Sequence, residues 1–151
     1  EAELPRVVGI DPGQARIGVA VSDEEKSIAF PRETVAARGG WAEAAARVRD
    51  ALSEDDIELV VVGLPLRLDG TEGEAARRAR RFGEALAAAM AVEVTYWDER
   101  LTTVAAERSL REMGRRGAKH REVVDQSAAT ILLQGFLDAN TGDPWMGPSS
   151  E

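Results

Sequence analysis

The sequence predicts an α/β fold, a five-stranded mixed sheet flanked by helices. Short apolar runs rich in Val and Ile recur along the chain, the first three in close succession and the later two alternating with Ala-rich helical stretches. The run from Ile57 to Gly63 is apolar almost throughout, as a strand must be when both faces of its sheet are covered. Three strands in antiparallel succession followed by strand, helix, strand, helix describe a mixed sheet with helices on its faces.

Each element follows from local pattern. Leu4 to Asp11 reads as a buried strand, and Arg16 to Ser22 alternates after a short turn, so it hairpins back onto the first. Ser27 to Val35 is a third strand in which Pro31, lacking an amide hydrogen, marks a break or an edge. Gly39-Gly40 punctuates, and Trp41 to Ser53 has helical spacing. After the strand Ile57 to Gly63 comes a loop, Leu64 to Gly73, holding Pro65 and the turn signal Asp69-Gly70. Glu74 to Met90 is a second helix and Val92 to Trp97 the fifth strand. Thr102 to Met113 follows as a helix capped by Thr102 or Thr103. A basic connector, Gly114 to Arg121, leads to a last helix, Val123 to Ala139. Residues 1–140 thus form one domain, and residues 141–151, with Gly142, Pro144, Gly147 and Pro148, lack periodicity and form a flexible C-terminal tail.

Composition narrows the function. A chain of 151 residues with 44% hydrophobic and 30% charged residues is that of a soluble globular protein. No apolar run approaches the roughly 20 residues that cross a bilayer, and Glu1 to Arg6 lacks the order of a secretory signal. The absence of cysteine removes disulfides and thiolate metal sites and fits a cytoplasmic location. A single histidine, His120, excludes a catalytic triad and a histidine zinc site. The net charge of −8 opposes indiscriminate nucleic-acid binding, but Arg and Lys cluster locally. Arg77, Arg78, Arg80 and Arg81 form one group, equally readable as a solvated helix face with internal ion pairs. Arg108, Arg111, Arg115, Arg116, Lys119, His120 and Arg121 form another that leads into Asp125.

Three acids stand out because each closes or opens an apolar element. Asp11 ends the first strand, Glu99 follows the fifth, and Asp125 opens the run Asp125-Gln126-Ser127-Ala128-Ala129. Strand ends on one side of a parallel sheet are where ligands gather, and converging carboxylates are what a hard divalent cation requires. Such a cation suits phosphodiester cleavage. Each residue also has a plainer reading. Asp11-Pro12-Gly13 is a turn signature, Asp98-Glu99-Arg100 can be a solvated strand end, and Asp125 can complement a helix dipole. Alternation puts Asp98 and Glu99 on opposite sides, so only one of them faces a cleft. Arg100 suits either a bidentate phosphate contact or a pair with a neighbouring acid. The tryptophans Trp41, Trp97 and Trp145 are too scattered to suggest a stacking platform.

Taken in order, the segments resemble the YqgF/RuvX family of Holliday-junction resolvases, also described as pre-16S rRNA nucleases. The resemblance runs from about Arg6 to Asn140 and includes Gly9-Ile10-Asp11-Pro12-Gly13, Arg16 to Asp23, Val61-Val62-Gly63-Leu64-Pro65-Leu66, Asp69-Gly70, Asp98-Glu99-Arg100-Leu101-Thr102-Thr103 and Asp125 to Ala129. It implies a ribonuclease H-like fold and a nuclease that uses divalent metal to hydrolyse phosphodiester bonds. The implied action is in 5′-end processing of precursor 16S rRNA, with a four-way DNA junction as the alternative substrate and a non-catalytic nucleic-acid-binding factor as the rival of another class. Asp11, Glu99 and Asp125 match the family's catalytic acids and metal ligands. Two Mg²⁺ or Mn²⁺ ions about 4 Å apart and bridged by Asp11 are the expected arrangement. Arg16, Arg100 and Lys119 are expected to hold the backbone of the RNA or DNA, and a junction substrate would call for a homodimer. The chain departs from the family where Pro12 replaces a usual aromatic residue and Gln14 a common Thr, and Leu66-Arg67-Leu68 is looser than the family's pattern.

Overall fold

A computed structural model describes residues 5–101 and 128–140. Its strands are β1 (Arg6–Pro12), β2 (Arg16–Ser22), β3 (Ala29–Ala36), β4 (Ile57–Leu64) and β5 (Glu93–Asp98). Its helices are α1 (Trp41–Ala51), α2 (Glu74–Met90) and α3 (Ala128–Ala139). These match the expected elements to within a few residues, except that the expected last helix begins at Ala128 among the described residues. The expected helix Thr102 to Met113 and the basic connector after it lie outside them.

The sheet order is β3-β2-β1-β4-β5. β1 pairs antiparallel with β2 and β2 with β3, whereas β1–β4 and β4–β5 are parallel. The mixed sheet follows from connection length: a few residues between β1 and β2 permit only a hairpin, while α1 and α2 provide the crossovers that parallel pairs need. β3 is an edge strand, which accommodates Pro31 opposite Ala20.

Alternation along each strand sorts the core into two layers. Val8, Ile10, Val60 and Val62 pack with Ile17, Val19 and Val21 against Val48, Phe82 and Leu86 of α1 and α2. Val7, Leu59, Val61 and Ala20 face the other way, onto Leu132, Leu133 and Phe136 of α3. β4 is therefore apolar at both parities.

On the α3 side, small residues let the helix sit close to the strands. A Cβ on Gly9 would stand 2.7 Å from Leu133 Cβ, and one on Gly18 would stand 3.3 Å from Ala129 Cβ. At its middle, α3 is tied to the sheet edge by Gln134. The Ala29 N–H donates to Gln134 Oε1 at 2.9 Å, and Gln134 Nε2 donates to the Ser27 carbonyl at 2.9 Å.

Candidate active site

Asp11 stands at the carboxyl end of β1 and Glu99 one residue beyond β5, so both lie at the same edge of the parallel strands. Parity sets the side to which they point. Val8 and Ile10 face α1 and α2, so Asp11, one residue on, faces α3. Its partner across the hairpin is Gly18, where an added Cβ would come 3.4 Å from Asp11 Cβ. Between the two acids runs β4, and its Gly63 leaves the space that Glu99 fills. A Cβ on Gly63 would lie 2.6 Å from Glu99 Oε2 and 2.5 Å from Leu132 Cδ1. Glycine at 18 and 63 thus makes the floor on which the two carboxylates meet.

The electrostatics are those of crowded, partly buried acids. Burial pushes the Asp11 carboxyl above its ordinary value. Burial raises Glu99 as well, and the negative charges of Asp11 and Asp98 push it further. Two desolvated carboxylates that repel each other are relieved by a cation between them, and their oxygen donors suit a hard divalent ion. Among the described residues no third Asp, Glu, His or Cys joins them, and Asp125 and Lys119 lie outside those residues. Ala129, four positions after Asp125 in sequence, packs over Gly18 beside Asp11.

Asp98 takes the opposite role. It faces away from α3, and its carboxylate accepts from Arg100 Nε at 3.0 Å and from Arg100 Nη2 at 2.7 Å. It also accepts the backbone N–H of Arg100 at 3.0 Å. Residues 99–101 are helical, and Asp98 caps their first turn; the expected cap at Thr102 or Thr103 lies outside the described residues. The hydrogen bonds from Arg100 hold the Asp98 carboxyl below its usual range. Alternation left open which of Asp98 and Glu99 would meet Asp11, and the structure brings Glu99 to it.

Arg100, expected to grip substrate, is therefore engaged by an acid, the second of the two uses its position allowed. Its Nη1 also reaches the Leu68 carbonyl at 3.3 Å, tying the loop after β4 to the end of β5. That loop turns at Asp69-Gly70, where Gly70 has φ +89°, a region side chains avoid. Asp69 accepts from the Thr71 N–H at 3.0 Å and from its hydroxyl at 2.7 Å. Arg16 is exposed at the start of β2. The turn before it needs Gly13, because a Cβ there would collide with the Arg16 carbonyl.

A cavity of about 550 Å³ opens at the same sheet edge on the side of α1 and α2. Its lining includes Pro12, Gln14, Gly40, Trp41, Pro65 and Arg78. Reading the sequence missed it, because its walls come from four separate segments. Both family departures, Pro12 and Gln14, lie on it.

Residues 5–139 match the family model described as RuvX, Holliday junction resolvase. A protein of Chloroflexus aggregans named "Putative pre-16S rRNA nuclease" is 46% identical over 133 residues, covering 88% of this chain and 93% of the relative. One of a Nocardioides species with the same name is 51% identical over 136 residues, covering 87% and 86%. Among solved structures, Thermus thermophilus RuvC in complex with a Holliday junction substrate aligns with TM-score 0.55 at 20% identity, over 91% of this chain and 96% of that one. At that identity the likeness shows the fold, which is ribonuclease H-like, as expected.

Proposed function

The chain belongs to the RuvX family, and from that membership we propose that it is a divalent-metal-dependent nuclease that processes the 5′ end of precursor 16S rRNA. The observation that carries the reading is the meeting of Asp11 and Glu99 over Gly63, each carboxyl raised by burial and Glu99 raised further by Asp11. A cation between the two carboxylates would relieve their repulsion and favour their charged forms. Asp11 and Glu99 hold Mg²⁺ or Mn²⁺ in this reading, and Asp125 completes the ligand set. When bound, two such ions supply an activated water and stabilise the leaving oxygen.

The residues around the pair have supporting tasks. Gly18 and Gly63 leave the space that Asp11 and Glu99 occupy. Asp98 and Arg100 fix the direction in which Glu99 leaves β5, and Arg100 is a positioning residue. Arg16 and Lys119 are the candidates for holding the nucleic-acid backbone.

The test is cleavage of a precursor 16S rRNA fragment, a single-stranded RNA and a four-way DNA junction with Mg²⁺ or Mn²⁺, beside the Asp11→Ala variant. Metal-dependent trimming of the RNA, lost in the variant, supports the reading. Unchanged cutting by Asp11→Ala refutes the site. The family model's description favours one second reading, cleavage of a four-way junction. A junction has two-fold symmetry, so that reading requires a homodimer that makes paired nicks. Binding without cutting of any substrate would favour a non-catalytic factor.

A further inference from the structure

The cavity beside Pro12 and Gln14 is built to stay open. The Ala37 N–H donates to the Ala15 carbonyl at 3.0 Å, joining the β1–β2 turn to the segment that leads into α1. Arg47 clamps that segment by donating from Nη1 to the Ala36 carbonyl at 2.9 Å and the Arg38 carbonyl at 2.7 Å. Trp41, the first residue of α1, rests on Phe82 with ring centroids 6.4 Å apart and planes tilted by 47°. It remains 43% exposed, although an indole of that size is ordinarily covered. Gly40 leaves the approach to it clear, with no atom within 4 Å of where a Cβ would stand.

Charge at the cavity runs against the charge of the chain. None of its lining residues is acidic, and Arg78 lies among them. Arg77, Arg78 and Arg81 share one carboxylate, Glu74, at 3.2, 3.8 and 3.9 Å, so positive charge is in excess there. Arg80 is separately neutralised by Glu72 at 2.6 Å. The nearby Glu43 carboxylate is held back by the Gly40 N–H, which donates to its Oε1 at 3.2 Å. An open aromatic surface, one under-compensated guanidinium and a volume in the range of small-ligand sites match a single nucleotide. The cavity shares the turn that begins at Asp11, so its occupant would neighbour the bond at the acid pair.

We propose that this cavity is a binding subsite for one unpaired nucleotide of the substrate strand, its base stacked on Trp41 and its phosphate held by Arg78. The proposal rests on the nuclease reading above, since it assigns that nucleotide to the strand presented to Asp11 and Glu99. A strand crossing the sheet edge would then be gripped on the α1–α2 side and met by carboxylates on the α3 side.

The experiment is fluorescence anisotropy with labelled single-stranded RNA, DNA of the same sequence, and the fully paired duplex. The full chain is compared with Trp41→Leu, Trp41→Phe and Arg78→Gln, and the fold of each is checked by thermal melting. Ca²⁺ replaces Mg²⁺, and the strands are checked for integrity. Trp41→Leu and Arg78→Gln should each weaken single-strand binding about tenfold or more, while Trp41→Phe keeps most of it and duplex binding is unmoved. Comparison of RNA with DNA tells which backbone is preferred. If Trp41→Leu does not fold, Arg78→Gln carries the test, since its side chain sits on the surface. Unchanged single-strand affinity, equal loss on the duplex, or displacement by free ATP as effective as by oligonucleotide would overturn the subsite. Cleavage is assayed in parallel with Asp11→Asn. Asp11-dependent cutting with Trp41-independent binding overturns the subsite alone. Trp41-dependent binding by a chain that cuts nothing supports the subsite and removes the nuclease reading.

Discussion

Asp98 and Glu99 are neighbours in sequence and opposites in surroundings. Asp98 turns toward the α1–α2 side of the sheet, where Arg100 pairs with it and holds its carboxyl low. Glu99 turns toward α3, where burial and Asp11 hold its carboxyl high. The same contrast separates the two sides of the sheet edge. The α3 side is floored by glycine and acidic, whereas the α1–α2 side opens into a cavity that is partly aromatic and basic. A one-residue step at the end of β5 therefore decides whether a carboxylate braces a loop or faces a second carboxylate.

The largest effect that could break this contrast is on cleavage. If the proposed function holds, Asp11→Asn and Glu99→Gln should each lower the metal-dependent rate by roughly a thousandfold or more, because each would remove a ligand rather than an accessory contact. Asp98→Asn should leave the rate within about tenfold, since only the positioning of Glu99 is loosened. Equal losses at 98 and 99, measured on one RNA substrate, would erase the distinction.

Next in size is packing. Gly63→Ala should destabilise by about 1–3 kcal/mol, because its Cβ would meet both Leu132 and Glu99. Gly40→Ala, with open space and a φ of −77°, should cost less, about 0.5–1 kcal/mol, because alanine is a poorer N-cap for α1 than glycine. Urea unfolding at neutral pH checks both.

Metal should then separate the acids by linkage. Mg²⁺ should raise the melting temperature of the parent and of Asp98→Asn, following RT ln(1 + [L]/Kd), but not that of Asp11→Asn. Equal melting temperatures of the parent with and without Mg²⁺ would count against a preformed site.

The smallest effects lie in the pH dependence of the metal-free chain, and they have opposite signs. Raised carboxyls at 11 and 99 mean that the folded chain binds protons more readily than the unfolded one. Stability from this source is present at acid pH and declines as pH climbs from the ordinary carboxylate range through the raised values. The lowered Asp98 carboxyl contributes stability above its ordinary value, and that is lost as pH falls through its folded value. Melting curves across pH should show Asp11→Asn flattening the decline toward neutrality and Asp98→Asn flattening the acid limb.

Much of this was legible in the sequence because it depends on local pattern. The strands announced themselves as Val and Ile runs, and Pro31 as an edge residue. The end positions of Asp11 and Glu99 followed from where those runs stop. Alternation separated Asp98 from Glu99 but could not say which faces α3, since that depends on the side the helices take. The capping role of Asp98 was not legible because it depends on where β5 ends, which residue type alone does not fix. Trp41 looked isolated along the chain and became part of a surface only when Pro12, Pro65 and Arg78 were folded against it. The expected tail at 141–151, and the expected roles of Asp125 and Lys119, fall outside the described residues.

Apolar packing alone fixes the axial position of a helix on a sheet less sharply than directional bonds do. Gln134 supplies such bonds to α3. Its amide accepts from Ala29, the first residue of β3, and donates to Ser27 just before the strand, and so indexes the helix to the end of β3 by directional bonds. Shifting α3 by one turn would break both bonds and drive Leu133 off the Gly9 notch. The N-terminal end of α3 is thereby located relative to Asp11 by a measuring device at its middle, well away from the acids themselves.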